Sequence, residues 1–217
     1  MSNKKIGTKA SAQDNFIGPN NVTSVSASDV GTGRPYNNGA ISISWTNPTT
    51  GNTPSGYRIY NGASLLTTVS HPTSSATVTG LSSNTLYNAL TVKAYDSYKE
   101  ASGTAVPSVT VTTVPDAPTS VTGTDQGSGR AFNNGQISVS WTAPSTGGKA
   151  ITGYTITPSA TVAAGTSASS PLVMTGFASG STYTFTVYAT NANGNSATSS
   201  ASAGAVSYTH LRAHETR

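Results

Sequence analysis

The chain has 217 residues, 11 basic against 7 acidic side chains for a formal charge of +4, and no cysteine, which excludes a disulfide framework and any thiolate metal site. Hydrophobic residues make up 35%, with only 2 Trp and 4 Phe, so the cores are modest. Between Ser28 and Ala205 the bases Arg34, Arg58, Lys93, Lys99, Arg130 and Lys149 face Asp29, Asp96, Glu100, Asp116 and Asp125, a dispersed balance of +1 that gives no footprint for nucleic acid.

Residues 1–20 are polar and lysine-tipped, with Phe16 and Ile17 as their main apolar content, and read as a flexible or externally docked tail. Residues 9–14 interrupt any apolar stretch of about seven residues that an export signal needs. No apolar run reaches membrane-spanning length, so no membrane insertion is expected. The expectation is action in the compartment of synthesis, or exit by assembly or lysis.

The first domain is placed at residues 21–114. Strands are expected at residues 22–27, 40–45, 56–60, 65–69, 76–78 and 109–111, with Leu90, Val92 and Ala94 alternating along another. One stretch stands out because it occurs twice. Gly33-Arg34-Pro35-Tyr36-Asn37-Asn38-Gly39, followed by an alternating run to Trp45, returns as Gly129-Arg130-Ala131-Phe132-Asn133-Asn134-Gly135 and a run to Trp141. Asn-Asn-Gly tolerates positive φ and reverses the chain before a strand that buries one face. Gly80 and Gly176, and Tyr87 and Tyr183, keep the offset of the tryptophans, 96 residues (141 − 45). A period this long is a tandem pair of complete domains and not a solenoid.

Trp45, Gly56-Tyr57-x-Ile59, Gly80-Leu81 and Tyr87 in the first copy resemble the fibronectin type III family. Trp141, Gly153-Tyr154-x-Ile156, Gly176-Phe177 and Tyr183-x-Phe185-x-Val187 repeat the pattern in the second, at residues 115–206. The resemblance implies two all-β, immunoglobulin-like sandwiches arranged end to end. It makes Trp45, Tyr57, Leu81, Tyr87, Trp141, Tyr154, Phe177 and Tyr183 structural, with Tyr87 and Tyr183 as corner tyrosines whose hydroxyls tie strand to turn. After Tyr87 the apolar parity moves by one, and a bulge is expected near Asn88 and Ala89. Pro115 and Pro118 stiffen a short joint.

The segment from Val206 to Thr216 resembles, letter for letter, one reading frame of the transposon-end adaptor used in sequencing libraries. That resemblance implies read-through, with residues 207–217 an adaptor-derived tail, a truncated second domain and a metagenomic source. His210 and His214 then form no metal site.

No catalytic constellation is legible, and the chain is read as non-enzymatic, without cofactor or metal. His71 is a lone loop histidine, read as solvated. Asp29 and Asp125 each open an Asp-x-Gly-x-Gly loop, but one carboxylate is too few for an ion that takes about six to eight oxygens. They read instead as turns pairing Asp29 with Arg34 and Asp125 with Arg130. The candidate binding loop is residues 95–100, where Tyr95, Asp96, Tyr98 and Lys99 have the composition of adaptable contact surfaces. Tyr98 would stack on a ligand and Asp96 hydrogen-bond to it, with residues 47–55 on the same end of the domain; the other reading is that the tyrosines cover the domain end. The corresponding loop of the second domain, residues 191–195, has no aromatic and is expected at the joint.

Two function classes remain. The lack of cysteine and export signal and the Gly-Arg-x-x-Asn-Asn-Gly repeat resemble domains of bacteriophage virion proteins. That implies a structural or adhesion module in a tail, fibre or capsid decoration, whose partners are other virion proteins or a host cell-surface glycan. The alternative is a non-catalytic spacer of a bacterial secreted carbohydrate-active enzyme or surface protein, located extracellularly or on the cell surface.

Overall fold

The structure, a computed structural model, describes residues 17–127 and 129–209. Short β-branched runs between Gly, Asn and Pro form strands throughout, and no helix occurs among the described residues. The first half contains β1 (Thr23–Asp29), β2 (Gly39–Thr46), β3 (Gly56–Asn61), β4 (Ser64–Ser70), β5 (Ser75–Leu81), β6 (Thr85–Tyr87), β7 (Leu90–Tyr95), β8 (Thr104–Ala105) and β9 (Val109–Val111). The second contains β10 (Thr119–Asp125), β11 (Gly135–Thr142), β12 (Ile151–Pro158), β13 (Gly165–Ser167), β14 (Leu172–Phe177), β15 (Thr182–Tyr183), β16 (Phe185–Asn191), β17 (Gly194–Asn195) and β18 (Ala205–Val206).

Sheets run in the orders β1-β2-β5, β4-β3-β7-β8 and β6-β9 in the first half, and β10-β11-β14, β13-β12-β16-β17 and β15-β18 in the second. Two tandem β-sandwiches on one plan result. The chain groups into two compact units, Met1–Ser26 with Ser44–Ala76 and Ala89–Pro107, and Ala27–Ile43 with Thr77–Asn88 and Ser108–Arg217.

Alternation places Ile41, Ile43 and Trp45 of β2, and Leu90, Val92 and Ala94 of β7, in the interior. Trp45 lies with its ring 5.2 Å from that of Tyr57 on β3. In the second half Ile137, Val139 and Trp141 pack in one cluster with Tyr154, Ile156, Phe177, Phe185 and Val187. Trp141 and Tyr154 repeat the pair at 5.1 Å. Each buried large side chain contributes about 1.5–3 kcal/mol, so these few aromatics dominate both cores. Leu81 and Tyr183 are buried as well, while Tyr87 is half-buried. The Tyr87 hydroxyl accepts the Ser82 N–H at 3.0 Å, and that of Tyr183 accepts the Ala178 N–H at 2.9 Å.

The repeated turn is a clamp. Asn37 and Asn133 take φ of 55° and 57°, which their short amides tolerate. The Arg34 guanidinium donates to Asn38 O and Asn38 Oδ1 at 2.8 and 3.1 Å, and Arg130 Nε donates to Asn134 O at 3.1 Å. Asn37 Oδ1 accepts the Ser83 N–H and Asn133 Oδ1 the Ser179 N–H, tying the turn before β2 or β11 to the corner after β5 or β14. The parity change after Tyr87 is a strand break and not a bulge within a ladder. β6 pairs with β9, Asn88 and Ala89 lie in neither strand, and β7 pairs with β3. A single residue, Thr184, makes the same transfer between β15 and β16, and the extra residue moves the parity.

The edge of β16 is closed by serines at every third position. Ser196, Ser199 and Ser202 donate their backbone N–H groups to the carbonyls of Ala189, Val187 and Phe185 at 2.8–2.9 Å. Their Oγ atoms accept the N–H groups of the same three residues at 2.9–3.0 Å. Each hydroxyl then donates onward to the carbonyl of the following residue, so its capacity is used. Sequence alternation misses this segment because it advances three residues while β16 advances two.

At the ends, the structure moves both boundaries expected from the sequence. Residues 17–20 are seated on the first sandwich, with Pro19 bridging to Gly51, and only residues 1–16 of the expected tail lie outside the described residues. Ser207 is buried, donates its N–H to Ser181 O at 3.0 Å and accepts the Gly180 N–H at 2.7 Å. A Cβ at Gly135 would stand 1.9 Å from Ser207 Oγ, so this close approach needs glycine. Residues 207–209 therefore belong to the second sandwich; His210 and His214 lie outside the described residues.

Ser199→Ala leaves the buried Val187 N–H without an acceptor and is expected to cost about 1–3 kcal/mol in urea unfolding. An unchanged midpoint would deny the serine closure its role. Truncation after Val206 is expected to melt at least about 4 °C below truncation after Thr209, the difference isolating residues 207–209.

Candidate functional site

The end of the first sandwich that carries residues 95–100 lies in the first compact unit, with residues 17–21 and 47–55 beside it. Tyr95 and Glu100 form a bridge that closes the loop. Asp96 Oδ1 accepts the N–H groups of Tyr98 and Lys99 at 2.8 and 2.7 Å, and Asp96 Oδ2 accepts from Asn52 Nδ2 at 3.0 Å. The Asn52 amide, with the two loop N–H groups, holds the Asp96 carboxyl below the usual carboxylate range. Asp96 thus shapes its own turn. Tyr95 is held on the outer face of the sheet: the Arg58 guanidinium lies 4.1 Å from its ring centroid, and a Cβ at Gly56 would meet its hydroxyl at 3.0 Å. Tyr98 is 67% exposed and Lys99 is exposed, its stem running beside Gly18. A cleft of about 410 Å³ opens between residues 17–21 and 99–102.

A polar cluster beside this loop escapes the sequence reading. Arg58 and Lys93 are directly paired across β3 and β7, and like charges placed so repel. Glu100 sits between them, 3.2 Å from Arg58 Nη1 and 3.3 Å from Lys93 Nζ, and accepts the Tyr60 hydroxyl at 2.9 Å. Lys93 Nζ also lies 4.9 Å from the Tyr60 ring centroid. The legible signal is that Arg58 and Tyr60 on β3, and Lys93 and Tyr95 on β7, alternate against the buried residues and share the outer face. Glu100 carries no such mark, because a turn delivers it.

Three other expectations are corrected. His71 is not merely solvated: its Nδ1 is 2.9 Å from the Tyr57 hydroxyl, which needs a partner at the core boundary. Asp29 does not pair with Arg34. Its carboxylate accepts the N–H and the hydroxyl of Thr112, while Arg34 holds its own turn. Asp125 accepts the Tyr208 N–H at 3.2 Å and Arg130 again serves its turn. Among the described residues no three His, Cys, Asp or Glu side chains converge as a metal site would require.

Burial by itself raises the Glu100 pKa, but hydrogen bonds from Tyr60, Lys93 and Arg58 outweigh it and hold the value below the ordinary 4.5. A folded-state value below the unfolded one gives stability that is present above the unfolded pKa and lost as pH falls through the folded value. Glu100→Gln is therefore expected to destabilise the first sandwich at pH 7 by about 1–2 kcal/mol, discounted for its partial exposure, and to approach the parent near pH 3. Urea unfolding at both pH values checks this, and a deficit independent of pH would contradict it.

Comparison with known proteins follows the same division. Residues 116–205 match the family described as fibronectin type III domain. The chain is 36% identical over 162 residues to Chitinase A1 of Niallia circulans, an alignment that takes in 69% of this chain and 21% of the chitinase's length. Among solved structures, domains A168-A170 of titin are 19% identical with TM-score 0.40, covering 84% of this chain and 61% of that one. Chicken CNTN1 FN1-FN3 domains are 16% identical with TM-score 0.46, covering 88% and 67%. Residues 116–205 are a fibronectin type III domain, and residues preceding them repeat its strand plan.

Proposed function

We propose that the chain is a non-catalytic spacer of an extracellular bacterial carbohydrate-active enzyme or surface protein. The observation that carries this reading is the similarity to Chitinase A1, whose 162 aligned residues are more than one sandwich holds. It favours the second of the two classes left open by the sequence over the virion-surface module. The side-chain chemistry agrees: glycoside hydrolysis uses a pair of carboxyl groups free to act as acid and as base or nucleophile. Among the described residues Asp29 holds Thr112, Asp96 caps its loop, Glu100 separates two cations, Asp116 accepts the Ala117 N–H, and Asp125 accepts the Tyr208 N–H.

The test has two arms. The intact reading frame around this sequence is expected to encode a glycoside-hydrolase region, and the purified chain is expected to release no soluble sugar from chitin. Flanking virion genes in place of a hydrolase region would restore the virion reading, and sugar release by the chain itself would overturn the non-catalytic one.

A further inference from the structure

Between Lys149 and Arg212 the sequence contains no Asp, Glu, Lys or Arg, and this interval holds every strand from β12 to β18. Soluble domains average about 25% charged residues, so a whole sheet without one is a departure. The interval is not apolar, because Ser, Thr and Asn recur throughout it. The sheet β13-β12-β16-β17 therefore presents a surface that offers hydrogen bonds and no charge.

Alternation sends Tyr154 and Ile156 of β12 and Val187 and Ala189 of β16 into the core, so Gly153, Thr155 and Thr157 face outward with Thr186, Tyr188 and Thr190. Register sets Thr166, Thr155 and Tyr188 side by side across β13, β12 and β16, with Gly153 opposite Thr190 and Thr157 opposite Thr186. The first sandwich holds different chemistry at the same positions. Aligning the Tyr57–Ala94 pair with Tyr154–Ala189 sets Arg58 opposite Lys93 where the second copy has Thr155 opposite Tyr188, and Glu100 joins those two cations. An ion cluster in one copy is thus replaced by hydroxyls around one tyrosine in the other.

Elsewhere in this sandwich hydroxyls serve the backbone, as those of Ser196, Ser199 and Ser202 do. On this face the hydroxyls of Thr155, Thr157, Thr166 and Tyr188 bond to no other group among the described residues. Gly153 adds a groove beside them. In the first copy a Cβ on the matching Gly56 would overlap Val69 O, so packing demands glycine there. At Gly153 a Cβ would meet only Ser167 O at 3.6 Å, an ordinary contact. Its missing side chain instead leaves a groove of about 390 Å³ lined by Thr155, Thr166, Ser167 and Thr190.

We propose that the outer face of β13, β12 and β16 binds an uncharged polysaccharide, with Tyr188 stacking on a pyranose ring and Thr155, Thr157 and Thr166 exchanging hydrogen bonds with its hydroxyls. A saccharide ring has an apolar C–H face suited to an aromatic ring, and a rim of hydroxyls that donate and accept as threonine does. That the occupant is uncharged follows from the surface. An anionic polymer calls for cations such as the first copy carries here, a cationic one calls for carboxylates, and this face has neither. The proposal rests on the spacer reading for taking the neutral polymer to be a polysaccharide, and goes beyond it by giving the spacer a polymer contact of its own.

The test measures depletion of the full chain from solution by colloidal chitin and by amorphous cellulose, at about 0.05 M and about 1 M sodium chloride. Depletion by at least one polymer, equal at the two salt concentrations, is expected. Tyr188→Ser and Thr155→Lys are each expected to weaken it at least about tenfold while melting within about 2 °C of the parent. Thr155→Lys places a cation where the first copy carries Arg58, and it keeps the test decisive if Tyr188→Ser fails to fold. No depletion by either polymer, depletion abolished by salt, or depletion unchanged in a folded variant overturns the binding face. Each of those results leaves the spacer reading standing, because that reading falls only on the flanking genes or on sugar release.

Discussion

Each sandwich depends on one tryptophan set against a tyrosine of the opposite sheet. Stacked sheets stand roughly 10 Å apart, and a chain with 2 Trp and 4 Phe has few side chains able to fill that gap. Trp45 with Tyr57 and Trp141 with Tyr154 do so at nearly the same separation and at tilts of 55° and 54°, although their surroundings have diverged. Around the second pair Phe177 meets Phe185 edge-on, and around the first the corresponding positions are held by Leu81 and Leu90. The indole N–H groups have diverged too. Trp45 Nε1 donates to Asn47 Oδ1 at 3.0 Å, but Ala143 stands at the equivalent position, and Tyr154 lies beside Trp141 Nε1 without reaching hydrogen-bond geometry. An unpaired buried N–H costs about 1–3 kcal/mol.

With the cores so similar, the difference between the copies lies in how their polar edges are closed. An open strand edge offers unpaired backbone groups to any passing chain. The first sandwich covers β7 with the short β8, and Glu100 reconciles two opposed cations on the same sheet. The second covers β16 with a serine at every third residue, each satisfying one N–H and one carbonyl. Neither device involves a large apolar residue. They draw on the Ser, Thr and Asn content that makes the chain look featureless in composition.

This explains what was legible in the sequence. The two tryptophans, the Gly-Tyr pairs and the corner tyrosines follow from alternation and from a fixed offset, and they locate the sheets without knowledge of any contact. The Asn-Asn-Gly turn was legible in conformation, because positive φ is a local property, but its bonding was not. Arg34 was assigned to Asp29 on charge alone, whereas geometry gives it the carbonyl of Asn38, four residues on, and gives Asp29 to Thr112 across the sandwich. The candidate loop shows the same limit. Tyr95 and Asp96 have the composition of a binding surface, and the residues that hold them in place, Arg58, Gly56 and Asn52, are all distant in sequence. Local pattern predicts backbone state well; which partner a polar side chain takes depends on register between strands, and that is set by the whole fold.

The side-chain chemistry of this chain is directed at the path of its own backbone. Its carboxylates accept from turns and from neighbouring strands, its asparagines hold carbonyls of the incoming segment, and its serines replace a strand. Thr113 illustrates the point: its N–H, carbonyl and hydroxyl are each bonded, to Gly147, to Asn191 with Asn193, and to Val114 O with Ser83 Oγ, and two prolines, Pro115 and Pro118, follow it. A segment with every polar group committed resists rearrangement.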